Sequence, residues 1–93
     1  MSFGGCMEIQ IDPHTLERAK ERGTDESEIK DVIMNGRVIS AKYGRQGKTH
    51  IYPFKRERRG KYYEQKKVEV FYLQEEEVII TVTAYVFYGI WED

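Results

Sequence analysis

The feature that most constrains the fold is the uncharged run at positions 78–91, VIITVTAYVFYGIW. Its first eleven residues are β-branched, aromatic or alanine, a composition typical of a pleated, half-buried strand. The run is well short of the ~20 residues that a membrane-spanning helix requires. Because an apolar strand with a bare edge aggregates, we predict that this run is the central strand of a sheet.

Side chains along this predicted strand alternate between two faces. The first face is almost entirely hydrocarbon and is expected to pack on the core: Val78, Ile80, Val82, Ala84, Val86 and Tyr88. The second face carries hydroxyl groups in its middle and is expected to be partly solvated: Ile79, Thr81, Thr83, Tyr85 and Phe87.

Two short helices are predicted before the main run of strands. Asp12 is a favoured N-cap and Pro13 a favoured first helical residue, so one helix begins there and ends at Gly23. A second helix follows the N-cap Asp25 and ends at Gly36, for which we expect a left-handed conformation. Because the connection between them is short, the two helices are expected to form a hairpin.

The remaining sequence alternates as strands do, and we predict strands at 8–11, 38–43, 49–55, 68–73 and 78–88. Pro53 requires an edge position or a bulge, and the charged stretch 56–63 is predicted as a charged loop or an extended hairpin tip. The fold class is therefore α+β, with two N-terminal helices packed on one face of a four- to five-stranded, mainly antiparallel sheet. We expect a single domain at 8–93, preceded by a flexible lead-in at 1–7.

The composition excludes several kinds of site. Cys6 is the only cysteine, so neither an intramolecular disulfide nor a cysteine zinc site can form. The two histidines lack metal-ligand spacing, and no cofactor-binding motif is present, so we predict neither a metal nor a cofactor. The first residues lack the basic and apolar regions of a signal peptide, which favours a cytoplasmic protein without membrane association.

The net charge of −1 conceals a strong asymmetry along the chain. Between Lys42 and Lys67 there are ten basic residues and two acidic ones, and such a polarised surface attracts polyanions. The candidate nucleic-acid-binding residues combine these cations with an interleaved tyrosine: Arg45, Lys48, Tyr52, Arg56, Arg58, Arg59 and Lys61. The alternative interpretation is a solvated hairpin tip without a ligand.

His14, Arg18 and Arg22 recur at intervals of four and fall within an arc of about 80° on the first predicted helix. An imidazole can move a proton near neutral pH, and two guanidinium groups can offset the charge of a phosphoryl transition state. The alternative is structural, with His14 capping the helix and the arginines paired with neighbouring carboxylates.

His50, Tyr52 and Phe54 alternate along one predicted strand and would share a face. Together with the hydroxyl-bearing face of the apolar strand, they predict a platform on which unpaired bases stack. The alternative is that Tyr52 and Phe54 belong to the core and that His50 is half-buried and hydrogen-bonded.

Three pieces of the sequence occur in a recognisable order. They are His14-Thr15-Leu16-Glu17-Arg18-Ala19-Lys20-Glu21-Arg22-Gly23, the capped helix at 25–36 and the apolar Ile80-Thr81-Val82. In this order they resemble an uncharacterised domain-of-unknown-function family close to the RelE- and BrnT-type toxins. Members usually have alanine where this chain has Thr15, and the basic insert at 55–67 is unusual. The resemblance implies a RelE/BrnT-like fold and a relation to small ribonucleases that cut RNA without metal.

Two functional hypotheses follow. The first is a small RNA-binding domain or toxin-like, metal-independent endoribonuclease, with four catalytic candidates: His14, Arg18, Arg22 and His50. The second is a non-catalytic interaction domain whose basic face docks an acidic protein. RNA, an antitoxin-like protein and a second copy of the chain are the candidate partners.

Overall fold

One mixed sheet and two helices make up the computed structural model, which describes residues 8–91. The elements are β1 (Glu8–Ile11), α1 (Pro13–Arg22), α2 (Glu26–Asn35), β2 (Arg37–Ile39), β3 (Gln46–Arg58), β4 (Lys61–Glu75) and β5 (Val78–Gly89). The strand order is β1-β5-β4-β3-β2, with β1 parallel to β5 and the other three pairs antiparallel. The α+β class and the strand count are therefore confirmed. The predicted lead-in at 1–7 lies outside the described residues.

The two helices begin where their capping residues predict. The Asp12 carboxylate accepts a hydrogen bond from the His14 backbone N–H at 3.0 Å, and Asp25 accepts one from Glu28 N–H at 2.9 Å. Gly23 ends α1 in the left-handed region, with φ of 104°. Over residues 8–91, neither helix is long and apolar enough to cross a membrane.

The prediction of a left-handed Gly36 is wrong, because its φ is −75° and its ψ is 172°, which is extended backbone. Glycine is required there for a different reason. A Cβ would lie 2.5 Å from the carbonyl oxygen of Val32 and 2.7 Å from that of Thr49. The absent side chain thus permits the close approach of α2 to β3.

The prediction of a single core face along β5 is also wrong, because a β-bulge interrupts the alternation. Thr81 pairs with Tyr72 and Thr83 with Phe71, so Val82 has no partner on β4. The extra residue exchanges the two faces of the strand. Before the bulge Ile79 and Thr81 are buried, whereas after it Ala84 is buried and Val86 and Tyr88 are half-buried. Val82 itself is half-buried rather than a core residue.

The core lies between the helices and one face of the sheet, with β4 rather than β5 as the middle strand. Its four largest fully buried side chains come from α2 and β4: Ile29, Val32, Val68 and Val70. Burial of each contributes roughly 2 kcal/mol. Both helices are on this face, as predicted, and the opposite face of the sheet carries neither of them. We call that second surface the helix-free face; its central residues are Lys67, Glu69, Phe71, Tyr85 and Phe87.

The hairpin of β3 and β4 runs through the charged stretch 56–63, which confirms the alternative of an extended hairpin tip, although both strands are longer than predicted. Arg59 and Gly60 form the tip, both with positive φ (53° and 83°), as in a two-residue type I′ turn. The predicted bulge at Pro53 is confirmed by a shift of register between Pro53 and Arg56. Conversely, β2 is shorter than predicted because the chain turns at Tyr43 and Gly44, both with positive φ.

Candidate nucleic-acid interface

A first cleft, of about 330 Å³, lies between α1 and the outer edge of β5, and we call it the α1 cleft. His14, Arg18 and Arg22 all line it, together with Thr15, Val82 and Thr83. The cleft exists because β1 pairs with β5 only from Val78 to Thr81, so the rest of that edge faces α1. The helical spacing of four therefore brings the imidazole and the two guanidinium groups to one surface.

Side chains of α1 replace a neighbouring strand at this edge. Arg22 donates from Nη1 to the Ala84 carbonyl oxygen at 2.7 Å, and the Thr15 hydroxyl donates to the Val82 carbonyl oxygen at 3.3 Å. These bonds satisfy β5 carbonyls that would otherwise be open for pairing with another chain. They also fix Arg22, whose guanidinium carbon lies 5.2 Å from the centre of the Tyr85 ring.

His14 and Arg18 are exposed. Neither has the structural role of the alternative interpretation, in which His14 caps the helix and the arginines pair with carboxylates. The helix is capped by Asp12 and not by the His14 side chain. In residues 8–91 the ion pairs are Lys30–Glu26, Lys66–Glu28 and Lys67–Glu69, so none joins Arg18 or Arg22 to a carboxylate. Arg18 and the His14 imidazole can therefore meet a ligand without breaking a bond of the fold.

A second cleft, of about 410 Å³, lies where the hairpin tip meets the C-terminal end of α1, and we call it the tip cleft. It is lined by Glu21, Arg22, Arg58, Arg59, Tyr63, Val86 and Tyr88. Arg58 donates to the Glu21 carbonyl oxygen and Tyr88 to the Arg22 carbonyl oxygen, both at 2.8 Å. These donors satisfy the carbonyls left open at the end of a helix, and they fix the tip against α1.

Three aromatic rings and three cations form a cluster beside the tip cleft. The Tyr88 ring lies 5.1 Å from that of Phe54 and 5.3 Å from that of Tyr63, centre to centre. Each ring has a cation over it: Arg56 at 4.7 Å from Phe54, Arg58 at 5.0 Å from Tyr88, and Lys61 at 5.7 Å from Tyr63. Interleaved rings and cations are the composition of surfaces that bind unpaired nucleic acid.

Most of the sequence, including the residues that line both clefts up to position 86, matches the model of one protein family. The model of the domain of unknown function DUF4258 matches residues 11–86. The chain belongs to this family. The DUF4258 match covers α1 and the hairpin tip and stops just before Phe87 and Tyr88. No curated protein and no solved structure matches the chain. Because DUF4258 is uncharacterised, the toxin relationship that the resemblance implies does not come with the match.

The predicted basic residues of this DUF4258 chain are divided between the two ends of the long hairpin. Arg58 and Arg59 line the tip cleft, with Arg56 and Lys61 on the adjoining rings. Arg45 and Lys48 lie near the start of β3, and ten residues of strand, or roughly 30 Å, separate Lys48 from Arg58. One short ligand cannot contact both groups.

His50 and Tyr52 do not join Phe54 on an open surface. The Tyr52 hydroxyl donates to Asp31 on α2 at 2.6 Å, and His50 packs on the Tyr52 ring at 4.6 Å. Burial, then the Asp31 hydrogen bond, raises the pKa of Tyr52, and the same bond lowers the pKa of Asp31. His50 lines a different cleft from His14, so the two candidate catalytic histidines are not brought together.

Two residues have roles that the sequence pattern did not reveal. Lys66 is one of the ten basic residues between Lys42 and Lys67, but it is 7% exposed and bound to Glu28 and to the Gly23 carbonyl oxygen. The alternation places Tyr88 only on the core face, yet its ring and hydroxyl join the aromatic cluster to the end of α1. Both roles arise from tertiary contacts, which leave no local mark in the sequence.

Proposed function

We propose that this DUF4258 protein binds single-stranded RNA along a cationic track made of Arg18, Arg22, Arg58 and Arg59, with His14 in the same cleft as Arg18. The observation that carries the proposal is that Arg22 lines both clefts, so the two clefts adjoin at its side chain. Among the described residues that line them, Glu21 is the only carboxylate. The track therefore carries a net positive charge, which attracts a phosphate backbone.

The chemistry of the track favours an unpaired strand over a duplex. Guanidinium groups bind phosphate oxygens as planar forks, and the neighbouring rings of Phe54, Tyr63 and Tyr88 can accept unstacked bases. Bases in a duplex are stacked on one another and do not reach such rings. A single strand can place phosphates on the arginines and a base on the cluster at the same time.

The position of His14 beside the track also supports RNA cleavage. His14 would take the proton from a 2′-hydroxyl, whose oxygen then attacks the adjacent phosphorus while the bond to the 5′-oxygen breaks. The leaving 5′-oxygen takes a proton from solvent water and His14 returns its proton to solvent, so the products are a 2′,3′-cyclic phosphate and a free 5′-hydroxyl. Arg18 and Arg22 would offset the charge that accumulates on the phosphoryl oxygens. This chemistry is the one implied by the resemblance to RelE-type toxins, and it is proposed on that basis.

Binding along the track is tested by filter binding across a salt series with a short single-stranded RNA. Four arginine contacts at about 0.7 each give a slope of about −3 for log affinity against log salt. The double substitution Arg18→Gln with Arg59→Asn should flatten the slope by about 1.4, since asparagine tolerates the positive φ of the turn. The matched control is Lys42→Gln with Arg45→Gln, two cations lost at the other end of the hairpin. If the two double variants gave equal slopes of log affinity against log salt, the proposed track would be contradicted.

Cleavage is tested with a labelled RNA in the presence of EDTA. His14→Gln should abolish cleavage while leaving affinity nearly unchanged, and His50→Gln should leave cleavage intact because His50 lies in another cleft. An RNA with a single 2′-deoxy substitution should resist cleavage at that position. Binding without cleavage in the parent protein restricts the function to RNA binding. Failure to bind RNA even at low salt would favour the hypothesis of an acidic protein partner.

A further inference from the structure

The helix-free face carries a row of aromatic rings on neighbouring strands. The Phe71 ring on β4 lies 6.1 Å from that of Tyr85 on β5, and Tyr85 lies 6.5 Å from Phe87. Tyr85 is 42% exposed and Phe87 is 45% exposed, because neither helix covers them. Exposed rings that lie together in one patch, rather than singly, make this face a candidate surface for a ligand.

Cations beside two of the three rings suit this face to a polyanion. Arg22 lies 5.2 Å from the ring of Tyr85, the middle ring of the row. The Lys67 ammonium lies 5.7 Å from the Phe87 ring, at one end of the row, and 4.9 Å from the Trp91 ring. Glu69 places one negative charge among these cations. It is paired with Tyr85 across the two strands, and its carboxylate lies 3.9 Å from the Lys67 ammonium.

Arg22 makes the row continuous with the proposed track. Its guanidinium bonds to the Ala84 carbonyl at the edge of β5, and the next residue, Tyr85, points onto the helix-free face. Thr83, which lines the α1 cleft, is on that same face. A strand whose phosphates follow α1 can therefore turn its bases over the edge of β5.

We propose that Tyr85 and Phe87 are a stacking platform for two unpaired bases of the RNA whose phosphates occupy the track. This inference rests on the proposed function and adds a second surface for bases, separate from the cluster of Phe54, Tyr63 and Tyr88. An apolar protein segment could pack on the rings, but it would bring no anionic group to Arg22 and Lys67. Aromatic rings bounded by a guanidinium and an ammonium match bases joined by phosphates.

The test compares a short single-stranded RNA with an abasic oligomer of the same length, which keeps the phosphates and lacks the bases. Trp91 is the only tryptophan and lies at one end of the row, so its fluorescence reports occupation of the face. RNA should quench Trp91 and bind at least tenfold more tightly than the abasic oligomer. The oligomer should bind through the track without the quenching.

Substitutions by leucine separate stacking from simple apolar contact. Tyr85→Leu and Phe87→Leu should each weaken RNA binding roughly tenfold and leave binding of the abasic oligomer unchanged. Phe87→Tyr keeps a ring and should retain the affinity. Tyr43→Leu is the matched control, because Tyr43 is 87% exposed and lies at the opposite end of the fold from the tip. Thermal melting of each variant establishes that the fold is retained.

The outcomes distinguish the two proposals. If the leucine variants bind RNA as tightly as the parent protein does, the platform is wrong, and the track still stands as long as the abasic oligomer binds. If the parent binds neither ligand at low salt, the track is wrong and the platform falls with it. If sedimentation reveals a dimer that RNA does not dissociate and that the leucine variants alter, the face is an interface between copies of the chain.

Discussion

Lys66 and Lys67 are neighbours in the sequence, but they lie on opposite faces of the sheet and in opposite circumstances. On the helix side, Lys66 is buried and bonded to Glu28 and to the end of α1. On the helix-free face, Lys67 is partly exposed, lies over Phe87 and Trp91, and approaches Glu69 only to 3.9 Å. A run of like charges in a strand therefore yields one residue that serves the fold and one that is available to a ligand.

Along β5, too, nearby residues differ in burial, because the bulge at Val82 decides which of them face the core. We expect Ala84→Asp to destabilise the protein by about 4 kcal/mol or more, because Ala84 is 1% exposed and the carboxylate would have no partner. Val82→Asp should cost only about 1 kcal/mol, since Val82 borders the α1 cleft. Urea unfolding measures both. If Val82→Asp proves the worse variant, the bulge is misplaced.

A smaller effect distinguishes the two lysine environments directly. Glu28→Gln should cost about 2 kcal/mol, because it leaves the Lys66 ammonium buried without its counter-charge. Lys66→Met should cost less, about 1 kcal/mol, because the Glu28 side chain is 26% exposed and can turn to water.

The matched control uses the other face. Lys67→Met and Glu69→Gln should each change the free energy of unfolding by less than about 0.5 kcal/mol, as expected for a partly exposed pair. The measurement is denaturant unfolding of all four single variants under one set of conditions. Equal losses on the two faces would mean that the buried pair has no special role.

The parts of the fold that were predicted correctly depend on local chemistry. Asp12, Pro13 and Gly23 mark the ends of α1 through capping and backbone preference, and the spacing of His14, Arg18 and Arg22 placed them on one side of it. These signals are carried by a few adjacent residues. They require no knowledge of what packs against the helix.

The parts that were predicted wrongly depend on contacts between distant segments. Both faces of β5 are made mostly of β-branched and aromatic residues, so nothing in its sequence marks Val82 as the residue where the faces exchange. The position of Gly36 after a helix predicts a left-handed conformation, but the close approach of Thr49 is what requires a glycine there. The tip cleft was not predicted at all, because Arg58, Tyr88 and the end of α1 meet only in the folded chain.

The smallest expected effect concerns the hydrogen bond between Tyr52 and Asp31, which attaches β3 to α2 on the helix side. This bond, followed by one from Asn35, lowers the pKa of Asp31 below its ordinary value in the folded protein. A carboxyl group whose pKa is lowered by folding adds stability above its unfolded pKa and loses it as the pH falls through the folded value.

Asp31→Asn should therefore lower Tm slightly at pH 7 and leave it unchanged near pH 2. Tyr52→Phe should have the same effect, and the double variant should lose no more than either single one. Additive losses at pH 7, or equal losses at both pH values, would contradict a stabilising role for this bond.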